Sequence, residues 1–203
     1  MDFCVIKLAI CNDLCKQECL NIFCNRLQHP NMNTLLQDVL NYKRFNAYLM
    51  KKSFSIIIAV AICLTIGWLS GLLNSSPIES WYQTLEKSSF TPPDYIFPIV
   101  WSILYLLMGV SAGLLYNVHN ISKRPLLLLF AVQMLLNVSW NFFFFSIQSP
   151  ILGFVNLLVL VVLGAAYFVG TLWIKRSSAF FFLPYLIWIL FATYLNFYIV
   201  AYN

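Results

Sequence analysis

An all-α integral membrane protein, a bundle of five transmembrane helices, is what this sequence predicts, and three observations predict it. First, 61% of the 203 residues are hydrophobic, 9% are charged and the mean hydropathy is +0.80, whereas a soluble domain carries roughly a quarter charged residues. A small water-soluble core cannot hide that much apolar surface. Second, the apolar residues fall into five runs, each near the ~20 residues that cross ~30 Å of hydrocarbon. Third, the runs show no alternation of apolar and polar residues, the mark of a membrane barrel. Backbone groups in lipid must pair within their own segment, so each run is a helix.

The runs are residues 54–73, 96–116, 125–146, 151–174 and 179–200. Pro125 stands where a first helical turn tolerates proline, and the fourth run follows Pro150. Residues 74–95 form the one long loop, with Glu79, Glu86, Lys87 and Asp94. Its Thr91-Pro92-Pro93-Asp94 stretch should be extended, because proline removes donors and biases its predecessor away from helix. Residues 117–124 and 175–178 are short and basic, and 147–150 are short and uncharged.

Met50-Lys51-Lys52 before the first run resembles a signal-peptide start, but a ~20-residue run is long for a signal core. A retained helix is the reading adopted. The same Met50 reads as a translation start, so residues 1–49 are expected to be an N-terminal extension, disordered or wrongly assigned to the chain, and 50–203 the membrane domain. The extension holds Cys4, Cys11, Cys15, Cys19 and Cys24. Cys11, Cys15 and Cys19 would share a helix face, but a metal site usually needs tighter pairs with histidine, and only His29 is near. No metal is expected, and a reducing compartment argues against a disulfide framework.

Charge placement sets orientation. Lys43, Arg44, Lys51, Lys52, Lys123, Arg124, Lys175 and Arg176 all fall on one side of a five-helix bundle, and Lys87 alone on the other. The positive-inside rule then puts the N-terminus in the cytoplasm and the long loop and C-terminus on the opposite face. The absence of an Arg- and Ser-rich transit peptide leans toward a bacterial cell membrane. The bases are not clustered as a nucleic-acid binder requires, so the expected partners are the lipid bilayer and a hydrophobic small molecule, with no nucleic acid.

No Asp, Glu, Lys, Arg or His lies inside the five runs. Ion-coupled pumping and carboxylate or imidazole catalysis at depth are thereby disfavoured. Aromatics are abundant instead: Trp68, Trp101, Tyr105, Trp140, Phe142 to Phe145, Tyr167, Trp173, Tyr185, Trp188, Tyr194, Phe197 and Tyr198. Many suit the interfacial belt. A sharper reading is a flat apolar pocket, because Asn137 with Trp140, and Trp188 with Ala192, each share a helix face. Aromatic faces with a few amides (Asn137, Asn141, Asn196) can hold a planar apolar ligand. Gly67-x-x-x-Gly71 and Gly109-x-x-x-Gly113 allow close helix approach, within the bundle first and in a homodimer as the alternative.

Longer motifs are more specific. They are Trp81-Tyr82-x-x-Leu85-x-Lys87-x-Ser89-Phe90-x-Pro92-Pro93, then Phe97-Pro98-x-Val100-Trp101-x-x-x-Tyr105-x-x-Met108-Gly109, then Leu136-Asn137-x-x-Trp140 with the Phe run, and Pro184-Tyr185-x-x-Trp188-x-x-Phe191-Ala192-Thr193-x-Leu195-Asn196-x-Tyr198. In this order they resemble the tryptophan-rich sensory protein / translocator protein (TspO/MBR, peripheral-type benzodiazepine receptor) family. That resemblance implies a five-helix bundle binding porphyrins, sterols and benzodiazepine-type ligands in a loop-capped pocket. On matching positions the pocket would use Tyr82, Trp101, Asn137, Trp140, Trp188 and Ala192. No cofactor is required, and a bound porphyrin is the ligand implied. Trp101 and Trp188 match the pair linked in the family to tetrapyrrole binding and to a proposed light- or oxygen-dependent porphyrin breakdown. They would be the catalytic residues of an enzymatic alternative, and a non-catalytic scaffold is the other. With no histidine at depth, stacking rather than ligation would hold the ring, favouring free-base porphyrin over haem. Two departures stand out. Ser88 replaces the usual proline, so a less rigid loop is expected, and the sterol-contact pattern lacks a base after Tyr198.

Overall fold

The computed structural model describes residues 32–72 and 81–203. The five N-terminal cysteines, His29 and Glu79 lie outside the described residues. Helix α1 is Met32–Leu72, α2 Trp81–Thr84, α3 Ile96–Tyr116, α4 Lys123–Asn141, α5 Pro150–Ile174 and α6 Arg176–Tyr202. A π-helical turn, Phe142–Ser146, extends α4. Five helices are long and apolar enough to cross a membrane, and the described residues include no strand. The chain divides between Leu49 and Met50 into two units. The first contributes exposed helical residues such as Val39 and Phe45, and the core and site described below belong to the second.

The helix limits correct three of the sequence expectations. The first helix begins at Met32 rather than residue 54. Hydrophobicity marks the stretch able to sit in lipid, whereas a helix propagates until glycine, proline or a cap stops it, and residues 32–53 contain neither glycine nor proline. The last helix starts at Arg176 and ends at Tyr202, so the expected 175–178 connection reduces to Lys175, whose backbone (φ −153°, ψ 88°) alone leaves the helical region. The third run begins at Lys123 and passes from α-helix to π-helix at Phe142. The second and fourth runs match to within a residue.

The caps follow local chemistry. Ser149 Oγ accepts from Leu152 N (3.4 Å) ahead of Pro150, a serine N-cap with proline at the first helical position. Lys123 Nζ donates to the Tyr116 carbonyl (2.6 Å) at the end of α3, where a cation meets unpaired carbonyls. Pro184 sits inside α6, a place where membrane helices tolerate it.

The main seams are α5–α6, α3–α6 and α4–α5. Leu104, Met108, Leu115, Leu157, Leu160, Tyr167, Phe182, Tyr185 and Ile189 fill the core they share. At one end Ser111 Oγ meets Tyr167 OH (3.1 Å) and donates to the Ser178 carbonyl (2.8 Å), while Ser178 Oγ donates to the Ser111 carbonyl (2.8 Å). This ties α3, α5 and α6 where the backbone turns at Lys175. On the same side Asn117 Nδ2 reaches Ser55 Oγ (2.7 Å) and the Lys52 carbonyl (3.1 Å) of α1. At the opposite end Asn203 and Glu86 exchange two bonds, Glu86 N to Asn203 Oδ1 (2.9 Å) and Asn203 Nδ2 to Glu86 O (3.1 Å). The long loop and the C-terminus therefore share one end of the bundle.

The second glycine pair works within the bundle. A Cβ on Gly109 would stand 2.5 Å from Val60 Cα, and one on Gly113 2.6 Å from Ile56 Cα, so α3 touches the backbone of α1 there. Gly67 faces the Tyr105 ring, whereas Gly71 has nothing within 4 Å. Gly109→Ala should destabilise the detergent-solubilised protein by roughly 1–3 kcal/mol, because backbone cannot yield as a side chain can. Gly71→Ala should leave the thermal midpoint unchanged or raise it slightly, and equal midpoints for the two variants would refute this packing.

Candidate binding site under the long loop

The site is built on a hydrogen-bonded bridge of three helices. Tyr105 OH on α3 donates to Asn137 Oδ1 on α4, and Asn137 Nδ2 donates to Tyr185 OH on α6 (3.3 Å). All three residues are buried. Asn137 is thus met by two tyrosines, residues the sequence flagged only as aromatics. Trp101 rests on this bridge, with its ring 5.7 Å from Tyr105 and 6.4 Å from Tyr185.

From Trp101 the aromatic rings continue as a stack. Trp140 lies 6.5 Å away at 28°, and Phe144 lies 5.3 Å beyond Trp140 at 16°. The π-helical turn explains how Phe144 and Phe145, adjacent in sequence, both become buried, at 2% and 9% exposure. An α-helix would send successive side chains in different directions, whereas a wider turn with its i→i−5 bond, Ile147 N to Phe142 O (3.0 Å), re-aims them.

The loop closes over this end. Trp81 and Tyr82 of α2 meet Phe144 edge-on at 5.4 and 6.1 Å, and Tyr82 meets Phe145 at 5.9 Å. Lys87 Nζ lies 4.2 Å over the Tyr82 ring and donates to Gln83 Oε1 (3.0 Å), while Gln83 Nε2 donates to Asp94 Oδ2 (2.6 Å). Burial, with the nearby Asp94 charge adding to it, pushes the Tyr82 phenol up to about 12. Tyr82 therefore stays neutral at physiological pH.

Ser88, for which a less rigid loop was expected, is anchored through its side chain. It is buried, its Oγ lies 3.2 Å from Tyr194 OH on α6, and it accepts from Phe90 N (3.2 Å). Phe90 adds an edge contact with Tyr194 at 6.4 Å. Side-chain anchoring here supplies the restraint that a proline ring would have supplied through φ. The Thr91–Pro93 stretch has no regular secondary structure, as expected.

Of the six residues assigned from the resemblance, Trp101 and Trp140 are in direct contact, Asn137 joins Trp101 through Tyr105 and Tyr185, and Tyr82 joins through Phe144. Trp188 and Ala192 are half-buried against the same core. Trp188 reaches the start of α3 through Phe97 (6.1 Å) and packs on Phe191 (5.6 Å). Asn141 stands apart, donating to Ser70 Oγ of α1 (2.7 Å) beside a groove of about 370 Å³ lined in part by Phe142 and Ser146, which contains none of the six. Among the described residues no group of three His, Cys, Asp or Glu side chains could hold a metal. Sequence reading missed Gln133 and Asn156, both buried. A lone amide in an apolar run was the available signal.

Fold and site together define a multi-pass helical membrane protein with a cluster of packed aromatic rings beneath an anchored loop. The TspO/MBR family profile matches residues 59–202. The chain is 32% identical to the tryptophan-rich protein TspO of Chlorobaculum tepidum over 159 residues, 75% of this chain and 98% of the relative. It is 30% identical to the protein of the same name from Archaeoglobus fulgidus over 151 residues, covering 73% and 96%. It is also 32% identical to the translocator protein of Ovis aries over 120 residues, covering 58% and 71%. This chain belongs to the TspO/MBR family.

Ser88→Ala removes both loop anchors at once. Limited proteolysis and amide exchange within residues 85–94 should increase severalfold, for a loss of roughly 1 kcal/mol in local closure. Tyr194→Phe should give about half that effect, and unchanged exchange in both variants would show that Ser88 does not hold the loop.

Proposed function

We propose that this chain is a receptor- or translocator-like membrane protein that binds porphyrins or similar planar hydrophobic molecules between its aromatic rings, for sensing, regulation or transport. The observation that carries the reading is the near-parallel Trp101–Trp140–Phe144 stack, standing on the Asn137 bridge and covered by the loop. Parallel rings present flat π faces, and aromatic groups favour offset stacking on a planar guest. The names of relatives, tryptophan-rich sensory protein and translocator protein, are in keeping with a sensing or transport role.

The chemistry narrows the guest. Residues 95–118, 125–174 and 177–203 contain no Asp, Glu, Lys, Arg or His. The ring would be gripped by dispersion and stacking, and acidic substituents would stay toward the loop, where Lys87 lies. Full-length protein in detergent, titrated in the dark with protoporphyrin IX, should show saturable tryptophan quenching at micromolar ligand. Trp101→Phe and Trp188→Phe should each weaken binding severalfold, on the order of 1 kcal/mol, and the double variant more. Correctly folded protein that shows no saturable quenching would remove the tetrapyrrole reading and favour a scaffold role. Illumination of the complex separates binding from catalysis, since only an enzyme would yield a new chromophore dependent on both tryptophans.

The orientation is part of the same proposal. Within the second unit Lys51, Lys52, Lys123, Arg124, Lys175 and Arg176 flank the helix ends opposite the long loop, which supports a cytoplasmic N-terminus in a bacterial cell membrane. In a bacterial host, alkaline phosphatase fused after Asn203 should be active and a fluorescent protein at the same point dark. The reverse pair would invert the assignment.

A further inference from the structure

The end of α6 meets the long loop through one carboxamide that uses all of its directional capacity. Asn203 Oδ1 accepts from Glu86 N (2.9 Å), and Asn203 Nδ2 donates to Glu86 O (3.1 Å) and to Ile199 O (3.0 Å). Turning the amide over would set its oxygen against two carbonyls, so the network fixes its orientation. Asn203 N donates to the same Ile199 carbonyl (3.1 Å), which continues the helical ladder and seats the side chain on the final turn of α6. That turn also carries Ile199, 4% exposed, which belongs to the buried cluster of Tyr82, Phe144 and Phe145. One turn of helix therefore grips the main chain of the loop and packs among the rings beneath it.

The loop is braced within itself. Thr84 Oγ1 donates to Trp81 O (2.7 Å), Lys87 Nζ to Gln83 Oε1 and Gln83 Nε2 to Asp94 Oδ2. These bonds tie α2 to a residue 11 positions beyond Gln83. A segment joined internally and held to the rest by few contacts opens as a unit. Its contacts with the bundle differ in kind. Trp81 and Tyr82 meet Phe144 and Phe145 by ring edges, which tolerate sliding. Ser88 meets Tyr194 through one hydroxyl pair. Asn203 alone takes both the N–H and the C=O of one peptide residue, as a neighbouring strand would.

We propose that the final turn of α6 is a latch for the loop. Asn203 holds Glu86, and Ile199 makes that hold depend on the packing of Phe144 and Phe145. Displacement of those rings unseats Ile199, the turn frays, and Asn203 leaves Glu86. A change within the aromatic cluster is thereby converted into release of residues 81–94. Aspartate could not replace Asn203, because a carboxylate has no donor for the Glu86 and Ile199 carbonyls. The latch goes beyond the binding reading above, since every contact in it lies within the free chain.

The test is amide exchange over residues 81–94 in ligand-free, full-length protein in detergent. Asn203→Ala should speed exchange there roughly tenfold, the scale of one to two net hydrogen bonds. The thermal midpoint should stay that of wild type, because Asn203 is exposed and outside the core. Asn203→Asp should match the alanine variant at neutral pH, and it serves as the second reading should Asn203→Ala fold poorly. Ile199→Val trims one methyl group from the cluster and should speed exchange by a smaller factor. In the Asn203→Ala background it should add nothing, because a latch already open cannot be released again. Wild-type exchange in both Asn203 variants overturns the latch. Additive effects of Ile199→Val and Asn203→Ala overturn the coupling, since Ile199 would then act on the loop without Asn203.

Discussion

Hydrocarbon offers no hydrogen bonds, so every amide and phenol that enters this bundle must be met from within it. Asn137 is where that constraint does most to shape the molecule. Its side chain is met from α3 by Tyr105 and from α6 by Tyr185. The bridge fixes the rotation of three helices about their axes, because turning any one of them would pull a buried polar atom off its partner. Apolar packing alone is forgiving of such rotation, since lipid is as good a solvent for leucine as another helix is. The orientation of Trp101 therefore follows from the bridge beneath it, and that of Trp140 from its place one turn after Asn137.

The two ends of the bundle are built differently. At the Lys175 end, Ser111, Tyr167 and Ser178 form a closed set of short bonds around fully buried hydroxyls. Phe182 packs between Tyr167 (4.5 Å) and Tyr185 (5.1 Å), filling the space above them. At the loop end the contacts are aromatic edges, one lysine over a ring and hydrogen bonds of exposed or half-buried groups. Contacts of that kind open at lower free energy than a packed polar core. The loop end is therefore the less tightly held of the two, while Ser111 and Ser178 hold the helices together at the other.

Much of this was legible in the sequence, and the losses have physical causes. Hydrophobic run length located all five spans, since lipid thickness dictates it. It misjudged the start of α1 by 22 residues, Met32 against 54, because nothing in Met32–Ser53 stops a helix. The π-helical turn was hidden in the Phe run, whose uniform side chains give no period from which to read a change of winding. Ser88 read as a weakened proline position because the sequence cannot show that Tyr194, 106 residues later, stands within hydrogen-bond reach. The same distance in sequence concealed the pairing of Asn137 with Tyr105 and Tyr185, although all three residues were conspicuous.

The unpaired amides on α5 and α6 invert the logic of the Asn137 bridge. At Asn137 the protein supplies both partners and gains a fixed geometry. At Asn156 and Asn196 it supplies the polar atoms and omits part of their partners, although leucine at either position would be less costly in lipid. Rigidity therefore cannot explain them, since an unsatisfied amide specifies nothing about its neighbours. Nor can solubility, since both are buried. The partner of these atoms lies outside the described side chains, and an internal water is the ordinary one for buried amides. The contrast with Asn137 is between an amide that fixes helix rotation and amides that do not.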